Sequence, residues 1–438
     1  MIRVRRNTEL GLVLLAALIT TGAYVLASLG RSATLPADVG PFLGVVLALL
    51  GVAHVATRRL APAADGMLLP LAALLNGIGY VFIARLDHKL AALQSLWTGV
   101  GVLAFVATLL VVRRARDLER YRYTLALLGV GLLMLPLAPG IGQNINGNRI
   151  WVRLAGVSFQ PGEMAKIVLA VFFASYLIEK QALLSQTRRF LGLMLPQFSL
   201  KHLGPLLLAW AASLVVMLAE KDLGSSLLFF ALFVAMLWVA TARATYLCVG
   251  GLLFGAGSFV AWETFAHVQD RVRIWINPWP YDHGYQLVQS MFALAAGGLS
   301  GTGLSLGTPQ RIPVVTSDFI FSAIGEELGL FGTTAVLAAI LLMVGAGLRI
   351  AVRADSGFEK LLAVGLTTIL AVQSFIIIGG VIRVVPLTGV TLPFVSYGGS
   401  SLVANYILLA LLLRISSDSA ERHAAAVGAD ETRVQYRV

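Results

Sequence analysis

Apolar stretches of about 20 residues recur along the chain, near 10–30, 41–57, 66–84, 91–112, 122–139, 163–179, 204–220, 223–240, 245–265, 320–348, 361–384 and 400–415. Polar residues gather in the segments between them. A helix rises about 1.5 Å per residue and the hydrocarbon core of a bilayer is about 30 Å thick, so such stretches can cross it. The pattern predicts about twelve spanning helices in an all-α, polytopic membrane fold. Its weakest boundary is at Glu220, Lys221 and Asp222, which interrupt the apolar sequence. Three adjacent charges are too costly at mid-bilayer, so a tight turn between two helices is predicted there, with one long broken helix as the alternative. Arg3, Arg5 and Arg6 ahead of the first stretch resemble a secretory signal. The stretch is longer than a usual signal core and many spans follow, which favours an uncleaved first helix.

Composition closes off the soluble alternative. Of 438 residues, 58% are hydrophobic and 13% charged, with a mean hydropathy of +0.84. One water-soluble core could not hide so much apolar surface. The net charge of +11 is spread over short loops with no basic domain, so no nucleic-acid partner is expected. Placing both termini in the cytoplasm puts roughly two thirds of the Lys and Arg inside, as the positive-inside rule requires. The single cysteine, Cys248, excludes a disulfide within the chain and reads as a small buried apolar filler.

This orientation leaves three polar segments outside, at about 140–162, 266–319 and 385–399. Arg149, Arg153, Lys166, Lys221, Arg271, Arg273, Arg311 and Arg383 sit at or beside them, and topology does not explain these cations. In the first segment Pro161 suits the opening turn of a helix, and Glu163 and Lys166, three apart, share a face at its outer end. The two form either a local ion pair or, with Arg149, part of a cationic site for an anionic headgroup. Asp222 suits a helix cap, with or without a functional duty.

In the second segment Trp275, Trp279 and Tyr281 fit an interfacial belt. Tyr285, Val288, Phe292 and Ala295 at helical spacing predict a short amphipathic helix along the surface. The glycine-rich run 297–307 reads as a mobile stretch able to approach a ligand, without the ending of a phosphate loop. Asp318 follows, between that run and the next span. It reads either as a cap or as a general base, which needs a fixed, partly water-excluded carboxylate that substrate can reach. Glu326 and Glu327 lie about two turns deeper, and either pair with Arg383 or simply sit near the interface. The third segment, from Pro386 to Ser401, is rich in Gly, Ser and Pro and predicts a packed re-entrant loop lining a cavity.

Taken in order, these segments resemble the SEDS family (shape, elongation, division and sporulation) from roughly Met67 to Ser416. The markers are Asn148-Arg149-Ile-Trp151, Phe159-Gln-Pro-Gly-Glu163-Met-Ala-Lys166, Asp222-Leu-Gly224, Gly284-Tyr-Gln, Asp318-Phe-Ile-Phe, Glu326-Glu-Leu-Gly329 and Ser396-Tyr-Gly-Gly-Ser400. The last resembles the elongation branch. The resemblance implies a ten-helix membrane glycosyltransferase core at 66–415, with the large outer loop at about 266–319. Residues 1–60 would add two accessory spans and 416–438 a cytoplasmic tail. It implies polymerisation of lipid II into peptidoglycan strands, with undecaprenyl pyrophosphate leaving. Implied partners are a class B penicillin-binding protein and other membrane proteins of the elongation complex. The family's catalytic aspartate matches Asp318, and further functional positions match Glu163, Lys166 and Asp222. Arg149, Trp151, Ser396 and Ser400 complete the candidate substrate-binding set. A divalent cation could share charge stabilisation on the pyrophosphate, although no metal-ligand spacing marks one.

Three positions depart from the family pattern. Gly162 stands where a serine is usual, Glu220-Lys221 replaces Gln-Pro, and Pro313-Val-Val-Thr-Ser317 lacks the usual Glu and His. A lipid II flippase or another transporter is the rival class, since transporters also gather polar groups within a bundle. A noncatalytic scaffold is a third. The clustering of unexplained charges toward one face favours an enzyme.

Overall fold

The computed structural model describes residues 2–35, 39–145, 148–154, 157–184, 187–190, 193–196, 211, 214–215, 218–220 and 222–435. Thirteen helices carry the architecture among them: α1 (Ile2–Ser32), α2 (Val39–Leu60), α3 (Leu68–Leu86), α4 (His88–Val111), α5 (Arg122–Met134), α6 (Pro161–Leu184), α7 (Leu223–Thr241), α8 (Thr245–Thr264), α9 (Ala266–Ile276), α10 (Tyr285–Gly297), α11 (Ile320–Arg353), α12 (Gly357–Val381) and α13 (Gly399–Gln435). Ten of these are long and apolar enough to cross a membrane. Of the two other expected spans, 204–220 lies largely outside the described residues, as does Lys221. The span expected at 122–139 is the short α5, because Pro136 cannot continue an α-helix and the chain tightens into a 3-10 turn at Leu135–Leu137.

Burial separates the centre of the bundle from its rim. The apolar windows of α12 and α13 are each 78% buried, against 17% for α2 and 11% for α8. Lipid tails are as apolar as leucine, so helices here associate through close packing and not through escape from water. Small residues allow it: a methyl group on Gly101 of α4 would stand 2.5 Å from the ring of Tyr406 on α13. Cys248, expected inside, is exposed on the outer surface of the sparsely buried α8. Helix α1 is a packed element of the fold, with Val13, Ala16, Ala17 and Thr20 buried and the Thr20 side chain lying against Gly77 of α3.

Expected tail residues continue α13 without a break. The Arg414 guanidinium donates to the carbonyls of Leu60 and Leu109 at 2.5 and 2.6 Å. Ser417 and Ser416 accept from the amides of Ala63 and Asp65, and Asp418 accepts from that of Ala115. The first turns beyond the last span thus hold the α2–α3 and α4–α5 connections.

Two small sheets interrupt the helical pattern. Strands β1 (Gly142–Ile145), β2 (Asn148–Leu154) and β3 (Val157–Phe159) form an antiparallel sheet in that order. Strands β4 (Thr187–Phe190) and β5 (Leu193–Pro196) pair antiparallel between α6 and α7. The first sheet lies within the polar segment expected outside at 140–162, where sequence reading assigned no strands. Its signal was the short alternation Arg149-Ile-Trp151-Val-Arg153, whose period of two places Ile150 and the buried Val152 on one face and Arg149, Trp151 and Arg153 on the opposite one.

Candidate active site

The three polar segments meet at one end of the bundle, joined by the loop between α12 and α13. Pro161 opens α6, and the preceding Gln160 amide donates to Ser400 Oγ at 2.9 Å. One turn into α6, Lys166 Nζ donates to Glu163 Oε2 at 2.8 Å and to Gln373 Oε1 of α12 at 2.9 Å. Both members of this pair are buried, as their i, i+3 spacing at a helix start allows. Gln373 then donates through Nε2 to the Thr391 carbonyl at 2.9 Å, and Thr391 Oγ1 donates to Ser401 Oγ at 2.8 Å. Sequence reading missed Gln373. Its signal was a fully buried polar side chain midway along an apolar helix, where polar groups are costly unless paired.

Asp222 caps α7, accepting from the Ser225 amide at 3.1 Å and the Ser225 hydroxyl at 2.6 Å. Gly224, the second residue of α7, lies against Thr388 and Val390 of the α12–α13 loop, where a methyl group would collide with Val390 at 2.4 Å. The same loop receives Arg271 of α9, whose Nη1 donates to the Thr388 carbonyl at 2.9 Å.

Asp318 also lies against that loop. Ser396 Oγ donates to the Ser317 carbonyl at 2.5 Å and accepts from the Leu392 amide at 2.9 Å, while the Tyr397 amide donates to the Thr316 carbonyl. A methyl group at Gly389 would lie 3.7 Å from Asp318 Oδ2. Asp318 does not cap α11, which begins at Ile320 without a side-chain cap. Burial pushes the Asp318 pKa up to about 6, opposed by the Ser317 hydroxyl and the Arg271 charge. Burial lowers the Arg271 pKa, opposed by Asp222 and Asp318 in turn. Arg271 thus links two candidate residues that the sequence had left separate.

The glycine run is pinned, not mobile. Helix α11 breaks at Gly329, where φ is +63°, and the run fills the gap. The amides of Thr302 and Gly303 donate to the carbonyls of Glu326 and Glu327, and those of Leu330 and Phe331 donate to Gly298 and Leu299. A side chain at Gly301, with φ +81°, would strike the Glu327 carbonyl at 2.2 Å. The partner of Glu327 is Arg85 of α3, at 2.7 Å, and not Arg383. Glu326 accepts from the Thr308 amide. Arg383 donates instead to the carbonyls of Trp275 and Ile276. Helix α10 is present as expected, but it buries Leu287, Val288 and Ala293 and leaves Tyr285 and Phe292 exposed, with Phe292 edge-on to Trp279.

Arg149 and Trp151 lie together on one face of β2, Arg149 exposed and Trp151 half-buried. Lys166 and Asp318 do not touch; each abuts the α12–α13 loop, Lys166 through Gln373 and Thr391, Asp318 through Gly389.

A model of cell cycle proteins named for FtsW, RodA and SpoVE matches residues 68–421. The chain belongs to this family. The peptidoglycan glycosyltransferase RodA of Mycobacterium tuberculosis is 46% identical over 426 residues, covering 94% of this chain and 90% of the relative. Its counterpart in Mycobacterium leprae is 44% identical over 425 residues, with the same coverage. Among solved structures, the rod shape determining protein RodA of Thermus thermophilus is 26% identical with a TM-score of 0.57, covering 81% of this chain and 97% of that one. A chain solved in work on the structural coordination of polymerization and crosslinking by a peptidoglycan synthase complex is 27% identical with a TM-score of 0.68, covering 82% of this chain and 98% of that one. The mycobacterial coverage cannot be reached without residues ahead of position 68. As a member of the FtsW/RodA/SpoVE family sharing the activity of these relatives, the chain is a multi-pass membrane peptidoglycan glycosyltransferase.

Proposed function

We propose that the chain polymerises lipid II into glycan strands on the outer face of the plasma membrane, with both termini cytoplasmic and Asp318 as general base. Asp318 removes the proton from the 4-hydroxyl of the acceptor sugar, and that oxygen bonds to the donor's anomeric carbon. The bond from that carbon to undecaprenyl pyrophosphate breaks, the anomeric centre inverts, and the proton passes from Asp318 to water. The observation that carries this reading is a half-buried, uncapped carboxylate held on a rigid frame beside a cation.

Arg271 supplies positive charge next to the reacting groups, while Lys166, held by Glu163, and the exposed Arg149 receive the leaving pyrophosphate with Trp151 beside them. Asp222 holds the start of α7 and orients Arg271, and Ser396 and Ser400 fix the loop between the two halves of the site. Among the described residues no group of three or more His, Cys, Asp or Glu is placed to hold a metal ion. Arg271 lies in the field of Asp222 and Asp318 and supplies positive charge there from the chain itself. A class B penicillin-binding protein would cross-link the strands, working beside this chain within the elongation complex. The synthase complex among the solved neighbours supports that pairing.

Purified full-length protein given labelled lipid II in detergent should yield a ladder of glycan strands. With Asp318 as base, kcat/KM should rise about tenfold per pH unit below about 6 and level off above it. Replacing Arg271 with Met removes a charge that favours the carboxylate, so this limb should move to higher pH. A flat profile, or a limb that stays in place in Arg271→Met, contradicts the roles given to these two residues.

A further inference from the structure

A cavity lies away from the candidate active site, between α1 and α2 on one side and α3, α4 and Tyr406 of α13 on the other. Its volume is about 260 Å³. Helices α1 and α2, which supply one wall, precede the residues matched by the family model. The wall is firmly built: Phe42 of α2 stacks between Tyr24 of α1 and Tyr80 of α3, with ring centroids 4.3 and 5.2 Å apart. Most of the remaining lining is aliphatic, including Val45, Val46, Leu49, Leu50 and Val102, and no charged side chain faces the cavity.

The floor is polar and incompletely bonded. Asn76 is 7% exposed, and its Nδ2 donates to Tyr406 Oη at 3.1 Å and Thr98 Oγ1 at 3.3 Å. Its Oδ1 has no partner. Tyr406 Oη accepts that bond, but its own proton has no acceptor among the described residues. The floor therefore offers one open acceptor and one open donor side by side. A buried polar atom left unpaired within a bundle is costly. Beyond Asn76 and Tyr406 the polar lining is limited to Thr20, Tyr80, Ser95 and Thr98, so most of the space is bounded by apolar side chains that suit a hydrocarbon chain.

We propose that this cavity binds a neutral membrane alcohol, a lipid whose hydroxyl donates to Asn76 Oδ1 and accepts from the Tyr406 hydroxyl while its chain lies along the aliphatic wall. A hydroxyl is the smallest neutral group that satisfies both atoms at once. An ester or ether can only accept, and a phosphate finds no cation. Diacylglycerols and polyprenols share the required chemistry.

Native mass spectrometry of the full-length protein in mild detergent tests this directly. The protein is titrated separately with a diacylglycerol, a polyprenol and the methyl ether of each. One equivalent of at least one alcohol should be retained, with its methyl ether retained about tenfold less. Whichever alcohol binds identifies the source. Tyr406→Phe, which removes one oxygen and leaves the ring packed on Phe394, should weaken retention of the alcohol about tenfold. Equal retention of alcohol and ether by the unmodified protein would overturn the proposal, as would a cavity holding water only. Unchanged retention in a folded Tyr406→Phe protein would overturn it as well.

Discussion

Asp318→Asn is expected to abolish strand synthesis, lowering the rate by a factor of about 10²–10⁴, the usual contribution of a positioned general base. The substituted protein should also be more stable at neutral pH. The folded-state pKa of Asp318 is raised from 3.8 to about 6, so the folded protein holds this proton more tightly than the unfolded chain. Stability from this group is full below the unfolded pKa and is lost as pH rises through about 6. Asparagine cannot ionise and avoids that loss. The measurement pairs a glycan-ladder assay with thermal unfolding in detergent at pH 7.5. Retained synthesis removes Asp318 from the role of base. Lost synthesis with a lowered melting temperature would mean that the residue is structural, because a caged base is expected to oppose folding.

The second large effect lies away from the chemistry. Glu327 is fully buried, and its partner Arg85 reaches it across the bundle at 2.7 Å. Arg85 also donates to the Gly307 carbonyl at 2.8 Å and to Gln310 at 2.9 Å. One guanidinium therefore ties α3, the break in α11 and the glycine run into the frame that presents Asp318. Arg85→Met leaves a buried carboxylate without its cation and should cost about 3–5 kcal/mol. The double substitution Arg85→Met with Glu327→Leu should recover much of that stability, since removing both charges removes the desolvation cost. Activity should not recover, because the Gly307 carbonyl and Gln310 lose their guanidinium donor either way. If the double variant is as unstable as the single one, the ion pair is not what holds the frame.

How far the sequence reached depended on the range of each signal. Spans were legible because about 20 consecutive apolar residues need no partner to be recognised. The Glu163–Lys166 pair and the Asp222 cap were legible because both act within one helical turn. Arg271 was visible only as one of several unexplained cations. Its place in the field of Asp222 and Asp318 depends on α9 and the α12–α13 loop converging. Similarly, pairing with Arg383 was one of two readings open for Glu326 and Glu327, whereas packing brings Arg85 to Glu327 and turns Arg383 toward the carbonyls of α9. Glycines at 297–307 read as freedom, because sequence shows the missing side chain and not the backbone that takes its place. In the fold Gly301 and Gly329 approach each other's strands of chain so closely that no side chain fits, and flexibility is the opposite of what they provide. Cys248 failed for a related reason: an apolar neighbourhood marks burial in water-soluble proteins but equally marks a lipid-facing surface.

The central claim is that Asp318 meets the acceptor hydroxyl at a site where Arg271 and the α12–α13 loop converge. A structure of this protein with a non-hydrolysable lipid II analogue and an acceptor strand tests it most directly. The acceptor 4-hydroxyl should lie within about 3 Å of an Asp318 carboxylate oxygen, or be joined to it by one water. An acceptor hydroxyl bound among Arg149 and Lys166, with Asp318 out of reach and turned toward protein, would contradict the account.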